Sequence, residues 1–322
     1  MTNIYIASCV KGGGIYHYTL SENNVLDFCE KTTLDEPMYM IIRNEKMYIL
    51  LRQPDEKTNF SGELSIDIDG TGKLFAPSRI ISTKGAVACH LEVSDDNIYA
   101  VNYVSGSVIK LPDTLVTHSG QGLHKVRQAA PHTHFVHVSP DGKYILVTDL
   151  GLDKIFVYDK DLKFVSDASV PSGHGPRHLA FSSDGKIVYC VNELGSSVSI
   201  FSYSDGELKL QNTISALPKD FSGDNISAAI RIKDNYLYVS NRGHNSISVF
   251  EIKDSYNIVL KECVDCGGNS PRDFNIIDDV LICTNEKSDN VTVFKLNNYI
   301  PEIISESELN IPSPLCVAYK KN

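Results

Sequence analysis

The chain has 322 residues, 42% hydrophobic and 22% charged, with a net charge of −10 and an isoelectric point near 5.5. That acidic balance argues against nucleic acid or an anionic membrane as partner, because phosphate contacts need clustered Lys and Arg; a locally basic pocket is still compatible with it. Apolar runs fall far short of the ~20 residues of a membrane helix, so a soluble, cytoplasmic protein is expected.

Along the chain one strand-like motif comes round seven times, and most copies end in a small polar residue. The copies are Ile4 to Ser8, Met47 to Leu51, Ile98 to Asn102, Ile145 to Asp149, Val188 to Asn192, Leu237 to Asn241 and Leu281 to Asn285. Their ends are 43, 51, 47, 43, 49 and 44 residues apart. A period in the forties with strand content predicts an all-β protein, a β-propeller with one four-stranded antiparallel blade per repeat. Seven repeats with no linker between them predict a single closed domain over residues 1–322.

The unit is clearest over residues 176–214. A short strand from His178 to Phe181 leads through Ser182-Ser183-Asp184-Gly185-Lys186 to the strand ending at Asn192, then to strands near Val198–Tyr203 and Leu208–Ile214. Asp-Gly between alternating apolar runs signals a hairpin, because glycine supplies the positive φ that the turn requires. The same turn recurs at Asp141-Gly142 and in degenerate form at Asp95-Asp96-Asn97 and Asp234-Asn235. The first motif, at Ile4, has no inner strand before it, whereas Pro314 to Tyr319 has no motif after it. The C-terminal strand is therefore expected to complete the N-terminal blade and close the ring, leaving no free sheet edge. A chain without tryptophan is unlike WD40 propellers, whose repeats carry a Trp-Asp pair.

In an up-and-down blade, the start of the inner strand and the end of the next strand share one end of the sheet. That gathers His90, His132, His134, Arg177, His178 and Arg272 on one face with Asp149, Glu193, Arg242, His244 and Glu286. A ring of His, Arg and carboxylates around a channel mouth suits an anionic or carbonyl-bearing small molecule. Arg177 and Glu193 form the sharpest pair: a carboxylate held against a guanidinium can orient a water while the guanidinium stabilises charge developing on a carbonyl oxygen. Arg272 and Glu286 repeat that arrangement in another blade, so an ion pair that merely braces each blade would explain both. His132 and His134 are candidates for general acid or base. They are also spaced as zinc ligands on one strand face, but no third ligand is marked by spacing. Arg242 follows a strand end, where a long cation can reach the channel or simply cap the loop.

Other patterns carry less. The eight cysteines, without a secretory signal, read as reduced thiols, with Cys190 and Cys283 as small core residues at matching repeat positions. Cys263-Val264-Asp265-Cys266 has CxxC spacing without a second pair and reads as a structural thiol pair. Lys11-Gly12-Gly13-Gly14 lacks the phosphate-loop pattern, and there is no Gly-x-Ser-x-Gly nucleophile elbow.

With these residues in view, the chain resembles the seven-bladed propeller lactonases, a family that includes bacterial 6-phosphogluconolactonases and fungal carboxymuconate cyclases. The resemblance runs end to end. It is carried by Gly14-Ile15-Tyr16, by Asn102 to Val108, by Arg127 to His134, and by the Ser-Pro-Asp-Gly-Lys turn at 139–143. Asp149 to Asp153, Gly175-Pro176-Arg177-His178, Asn192-Glu193 and Ser240-Asn241-Arg242-Gly243 continue it. The resemblance implies cofactor-free, metal-independent hydrolysis of a lactone at the channel mouth, with 6-phospho-D-glucono-1,5-lactone, an intermediate of the pentose phosphate pathway, as the foremost substrate. It places the catalytic set on His132 or His134, Arg177, Glu193 and Arg242; His90, His178, His244, Arg272 and Glu286, gathered on the same face by topology, are substrate-binding candidates. The alternatives are a carboxymuconate-type lactonising enzyme and a non-catalytic propeller that binds a small anion or a protein. The repeat opening at Ser227-Ala228-Ala229 lacks the Pro-Arg start and Leu51 replaces the polar motif end, so those two blades are not expected to bring the same polar groups to the channel.

Overall fold

The computed structural model describes residues 2–54, 57–304 and 309–321. It contains no helix among them. Seven antiparallel sheets follow one another around a ring, each with the strands of one repeat. Blade 1 consists of Thr2–Ser8, Gly14–Leu20 and Leu26–Thr32 with the C-terminal Pro314–Lys321 as its inner strand. Blade 2 spans residues 37–82, blade 3 spans 88–117, blade 4 spans 133–169, blade 5 spans 176–215, blade 6 spans 226–265 and blade 7 spans 271–310. The expected closure is present: Thr2–Ser8 pairs on one side with Gly14–Leu20 and on the other with the C-terminal strand.

Seven apolar clusters hold the ring, one at each junction between adjacent blades. Between blades 4 and 5, for example, Leu146, Val157, Val188, Cys190 and Phe201 have no exposed surface. Each fully buried side chain of this size stabilises the fold by about 1.5–3 kcal/mol. Cys190 and Cys283 lie in two of these clusters, as their small size and repeat position suggest. The Asp-Gly turns form with Gly142 and Gly185 both at φ 70°, and in the degenerate copies Asp95 and Asp234 take the left-handed position at φ 52°.

The repeated motif ends are brackets rather than site groups. Asn192 Nδ2 donates to Ser197 and Ser199 hydroxyls, Asn241 Nδ2 donates to Ser248 Oγ and the Ala216 carbonyl, and Asn102 Nδ2 donates to the Thr83 carbonyl. All three residues are fully buried, so each amide satisfies backbone or hydroxyl groups that water cannot reach.

The same end of every blade carries a second device. In six blades the first residue of the inner strand pairs with the motif end, as in Pro176 with Asn192 and Pro271 with Asn285, in blade 6 the second residue, Ser227, pairs with Asn241, and the register then slips. The skipped residue is Leu315, Met38, Cys89, His134, Arg177 or Arg272 in six blades, and the Ala228-Ala229 pair in blade 6. A β-bulge frees a residue from the ladder and re-aims its side chain. Repeated around a ring, it builds a collar.

Candidate functional site

Two rings of side chains surround the channel at this end. The upper ring is formed by the residue just after each motif, which includes Arg52, Tyr103, Glu193 and Arg242. The lower ring is the bulge collar. Together they enclose a cavity of about 310 Å³ lined by Arg52, Tyr103, Arg127, His134, Glu193, Arg242 and Arg272. Below it Met38, Cys89, His134, Arg177, His178 and Arg272 narrow the channel to a neck of about 20 Å³, room for about one water.

Glu193 organises the cavity. Its Oε2 accepts from Arg177 Nε at 3.0 Å and from Arg242 Nη2 at 2.8 Å, while its Oε1 accepts from Arg127 Nη2. The carboxylate is 4% exposed. Burial raises the proton affinity of Glu193, but Arg242 and Arg177 outweigh it and hold the group well below the usual carboxylate range. Arg177 donates its Nη1 hydrogens to the Ala228 carbonyl and to His178 Nε2, and has no further partner on Nη2 among the described residues. Burial and the nearby Arg242 and Arg272 push its pKa down to about 9, which still leaves it charged at neutral pH. Arg242 donates Nη2 to Ser227 O as well as to Glu193, and its buried Nε has no partner among the described residues. Both guanidinia are thus oriented with donors to spare. Five arginines meet at this end of the channel, and the cavity itself is lined by four of them against the single carboxylate of Glu193, while Glu286, Asp224 and Asp273 lie around it, which makes a basic cavity on an acidic protein.

The histidines separate into those in the channel and those outside it. His134 lines both cavity and neck, with Nδ1 3.8 Å from Cys89 Sγ. Burial and the Arg177 charge push it well below its ordinary value of 6.5, so the imidazole is neutral. His178 is likewise held neutral by burial and Arg177. Since its Nε2 accepts from Arg177, the proton sits on Nδ1, which is buried beside the neck without a partner among the described residues. His90 packs deeper, between Tyr39 and Phe135 at centroid distances of 4.3 and 3.9 Å. His132 lies outside the cavity: it stacks on Tyr103 at 4.5 Å and gives Nδ1–H to the Tyr103 carbonyl. His244 bonds Ser246 Oγ through Nδ1 against the edge of Phe221 and does not line the cavity. Asp149, gathered on this face by topology, is a strut, taking His118 Nδ1 at 2.6 Å and the His132 amide.

Arg272 and Glu286 do repeat the Arg177–Glu193 pairing, but more loosely, at 3.4 Å with both side chains about a quarter exposed (24% and 28%). Two cavity arginines escaped the sequence reading. Arg127 comes from the loop between blades 3 and 4, which Gln128 pins through Asp153 and the Leu150 carbonyl. Arg52 follows Leu51, in a blade expected to bring no polar group of this kind. Leu51 is indeed buried in the core between blades 1 and 2, yet the next residue reaches the cavity. The signal for Arg52 lay in the repeat itself, since it occupies the position of Glu193 and Arg242. Cys89 also lines the cavity, but burial pushes its thiol up to about 12 and it donates to the His134 carbonyl at 3.3 Å, so it is not a ready nucleophile.

Comparison with known proteins agrees with this architecture. The family described as Lactonase, 7-bladed beta-propeller matches residues 3–319. An uncharacterised protein of Staphylococcus aureus is 35% identical, over 99% of this chain and 100% of its own. A structure from Lactobacillus plantarum superposes with a TM-score of 0.91 at 25% identity, covering 100% of both chains. A candidate 6-phosphogluconolactonase from Bacteroides uniformis does so with a TM-score of 0.90 at 27% identity, covering 99% of each. The chain therefore belongs to the lactonase family of seven-bladed β-propellers.

Proposed function

We propose that the protein hydrolyses a sugar lactone, with 6-phospho-D-glucono-1,5-lactone as the foremost substrate and 6-phosphogluconate as product. The observation that carries this reading is the placement of a neutral imidazole, His134, in the same small cavity as Arg127 and Arg242, two guanidinia that Glu193 holds, and beside the third, Arg177, in the neck below. A lactone carbonyl seated in the cavity against Arg242, with its oxygen toward the neck and the Arg177 charge, is polarised by charges already in place.

His134 takes a proton as water attacks the carbonyl carbon. The negative charge of the tetrahedral intermediate rests against the arginines and also stabilises the imidazolium that has formed. Collapse breaks the bond to the ring oxygen, and the imidazolium returns its proton there to give the hydroxyl of the opened chain. The new carboxylic acid then ionises and releases one proton per turnover. Glu193 fits the role of anchor better than that of base: three guanidinium donors and a depressed proton affinity leave it little tendency to accept a proton. A strained cyclic ester hydrolyses in water unaided, so modest assistance of this kind is sufficient.

The candidate name of the Bacteroides uniformis relative supports the phosphorylated substrate. The test is acid release from freshly made 6-phosphogluconolactone at constant pH, with protein and with buffer alone. A rate equal to that of buffer rules out this substrate.

A further inference from the structure

Glu193 engages three of the five arginines around the cavity and neck; the other two, Arg52 and Arg272, do not contact it. Arg52 occupies in blade 2 the repeat position that Glu193 occupies in blade 5. Three blades of seven separate them, so the closed ring sets Arg52 across the channel from the Glu193 cluster. The Arg52 side chain is exposed and makes no ion pair or hydrogen bond with the described residues. Arg272, from the collar of blade 7, has among the described residues only the Glu286 carboxylate as a side-chain partner, at 3.4 Å. Blades 7 and 2 flank blade 1, whose buried Cys9 thiol feels both guanidinium charges together with the Glu36 and Glu286 carboxylates. The cavity thus has two poles: one where arginines are bound and aimed by a carboxylate, and one where two cations are nearly free.

We propose that Arg52 and Arg272 form an anion-reading pole for a phosphate monoester carried on the substrate away from its lactone carbonyl, so that the site selects phosphorylated over neutral sugar lactones. A dianionic phosphate matches two guanidinia, and arginine offers it paired donors in a planar fork. Ordering is also served: with the phosphate held at one pole, the carbonyl end is directed to the other. Glu286 would exchange its loose hold on Arg272 for the rim, where solvent screens it.

This inference rests on the lactonase reading for its substrate, but its test does not need turnover. Calorimetric binding of 6-phosphogluconate and of gluconate is measured for the wild type, Arg52→Gln, Arg52→Lys and Arg272→Gln, each first confirmed folded by its thermal transition. The wild type is expected to prefer 6-phosphogluconate by at least tenfold. Arg52→Gln should cut that preference about tenfold, Arg272→Gln should also lower it, and Arg52→Lys should restore part of it. Equal weakening of both ligands, or an unchanged preference in Arg52→Gln, overturns the proposal. If the protein hydrolyses neither lactone yet loses its phosphate preference in Arg52→Gln, the pole stands and the lactonase reading falls. If it hydrolyses both lactones and the preference is unchanged in Arg52→Gln, the lactonase reading stands and the pole falls.

Discussion

Arg177 Nε donates to Glu193 Oε2 at 3.0 Å with both side chains almost wholly buried, 3% and 4% exposed. Without Glu193, Arg177, Arg242 and Arg127 lose a shared counter-charge in a place water reaches poorly. Breaking a buried pair from one side costs about 3–5 kcal/mol. Glu193→Gln should therefore unfold earlier in urea by an amount of that order and lose most of its kcat. Arg272→Ala, which removes a partly exposed pair, should cost under ~1 kcal/mol. Equal losses in the two variants would mean that both pairs are only braces.

Acid should destabilise the fold through its channel histidines. His90, His134 and His178 are all held well below 6.5 by burial. The unfolded chain takes up protons as pH falls through 6.5 while the folded chain does not, so stability is complete above that value and declines below it. Each histidine contributes a slope of up to ~1.4 kcal/mol per pH unit. Urea midpoints measured from pH 7.5 to 5 should fall accordingly, and His90→Phe should flatten the decline.

The same depression sets the pH dependence of the reaction. A base must be unprotonated, and the His134 value lies below 6.5, so kcat/KM should stay level from pH 8 down to 6.5 and fall only on the acid side. A decline centred at 6.5 or above would indicate a different base.

Outside the cavity lining, Glu63 is a buried acid whose Oε1 has no hydrogen-bond partner among the described residues, and burial pushes its carboxyl up to about 7. The unfolded carboxyl ionises near its ordinary 4.5, so stability falls as pH rises from there through about 7 and stays reduced above. Glu63→Gln should stabilise the protein at pH 8 by up to about 3 kcal/mol and make no difference at pH 4.5. Thermal unfolding at the two pH values checks this.

Closure of the ring is tested by truncation. Deleting residues 314–321 removes the inner strand of blade 1 together with Cys316, Val317 and Ala318, which pack against blades 2 and 7. The truncated chain should lose its cooperative transition, whereas removal of the last two residues should leave the midpoint within about 1 °C of wild type.

The ring was legible because motif, turn and strand repeat together: Leu281 to Asn285 marks its strand as clearly as Val188 to Asn192 does. The Arg177–Glu193 pairing followed from antiparallel topology alone. Which histidine faces the cavity did not. His132 and His134 differ by the bulge at His134, and a register slip is fixed by how strand pairs meet around the channel rather than by local composition. Arg127 was hidden for another reason: it reaches Glu193 from a loop two blades away in chain order, and its position depends on the Gln128 latch. The buried Asn ends mark the channel end of each blade without entering the cavity, because hydroxyls and carbonyls of the blade take up their amides.

The central claim, that His134 and the Glu193-aimed arginines open a lactone, is tested most directly by acid release from 6-phosphogluconolactone with the wild type and His134→Gln, both shown to be folded. The wild type should exceed buffer by at least a hundredfold at micromolar protein, and His134→Gln should lose about 10²–10⁴-fold in kcat with KM little changed. A wild type no faster than buffer, or a His134→Gln variant at full rate, contradicts the account.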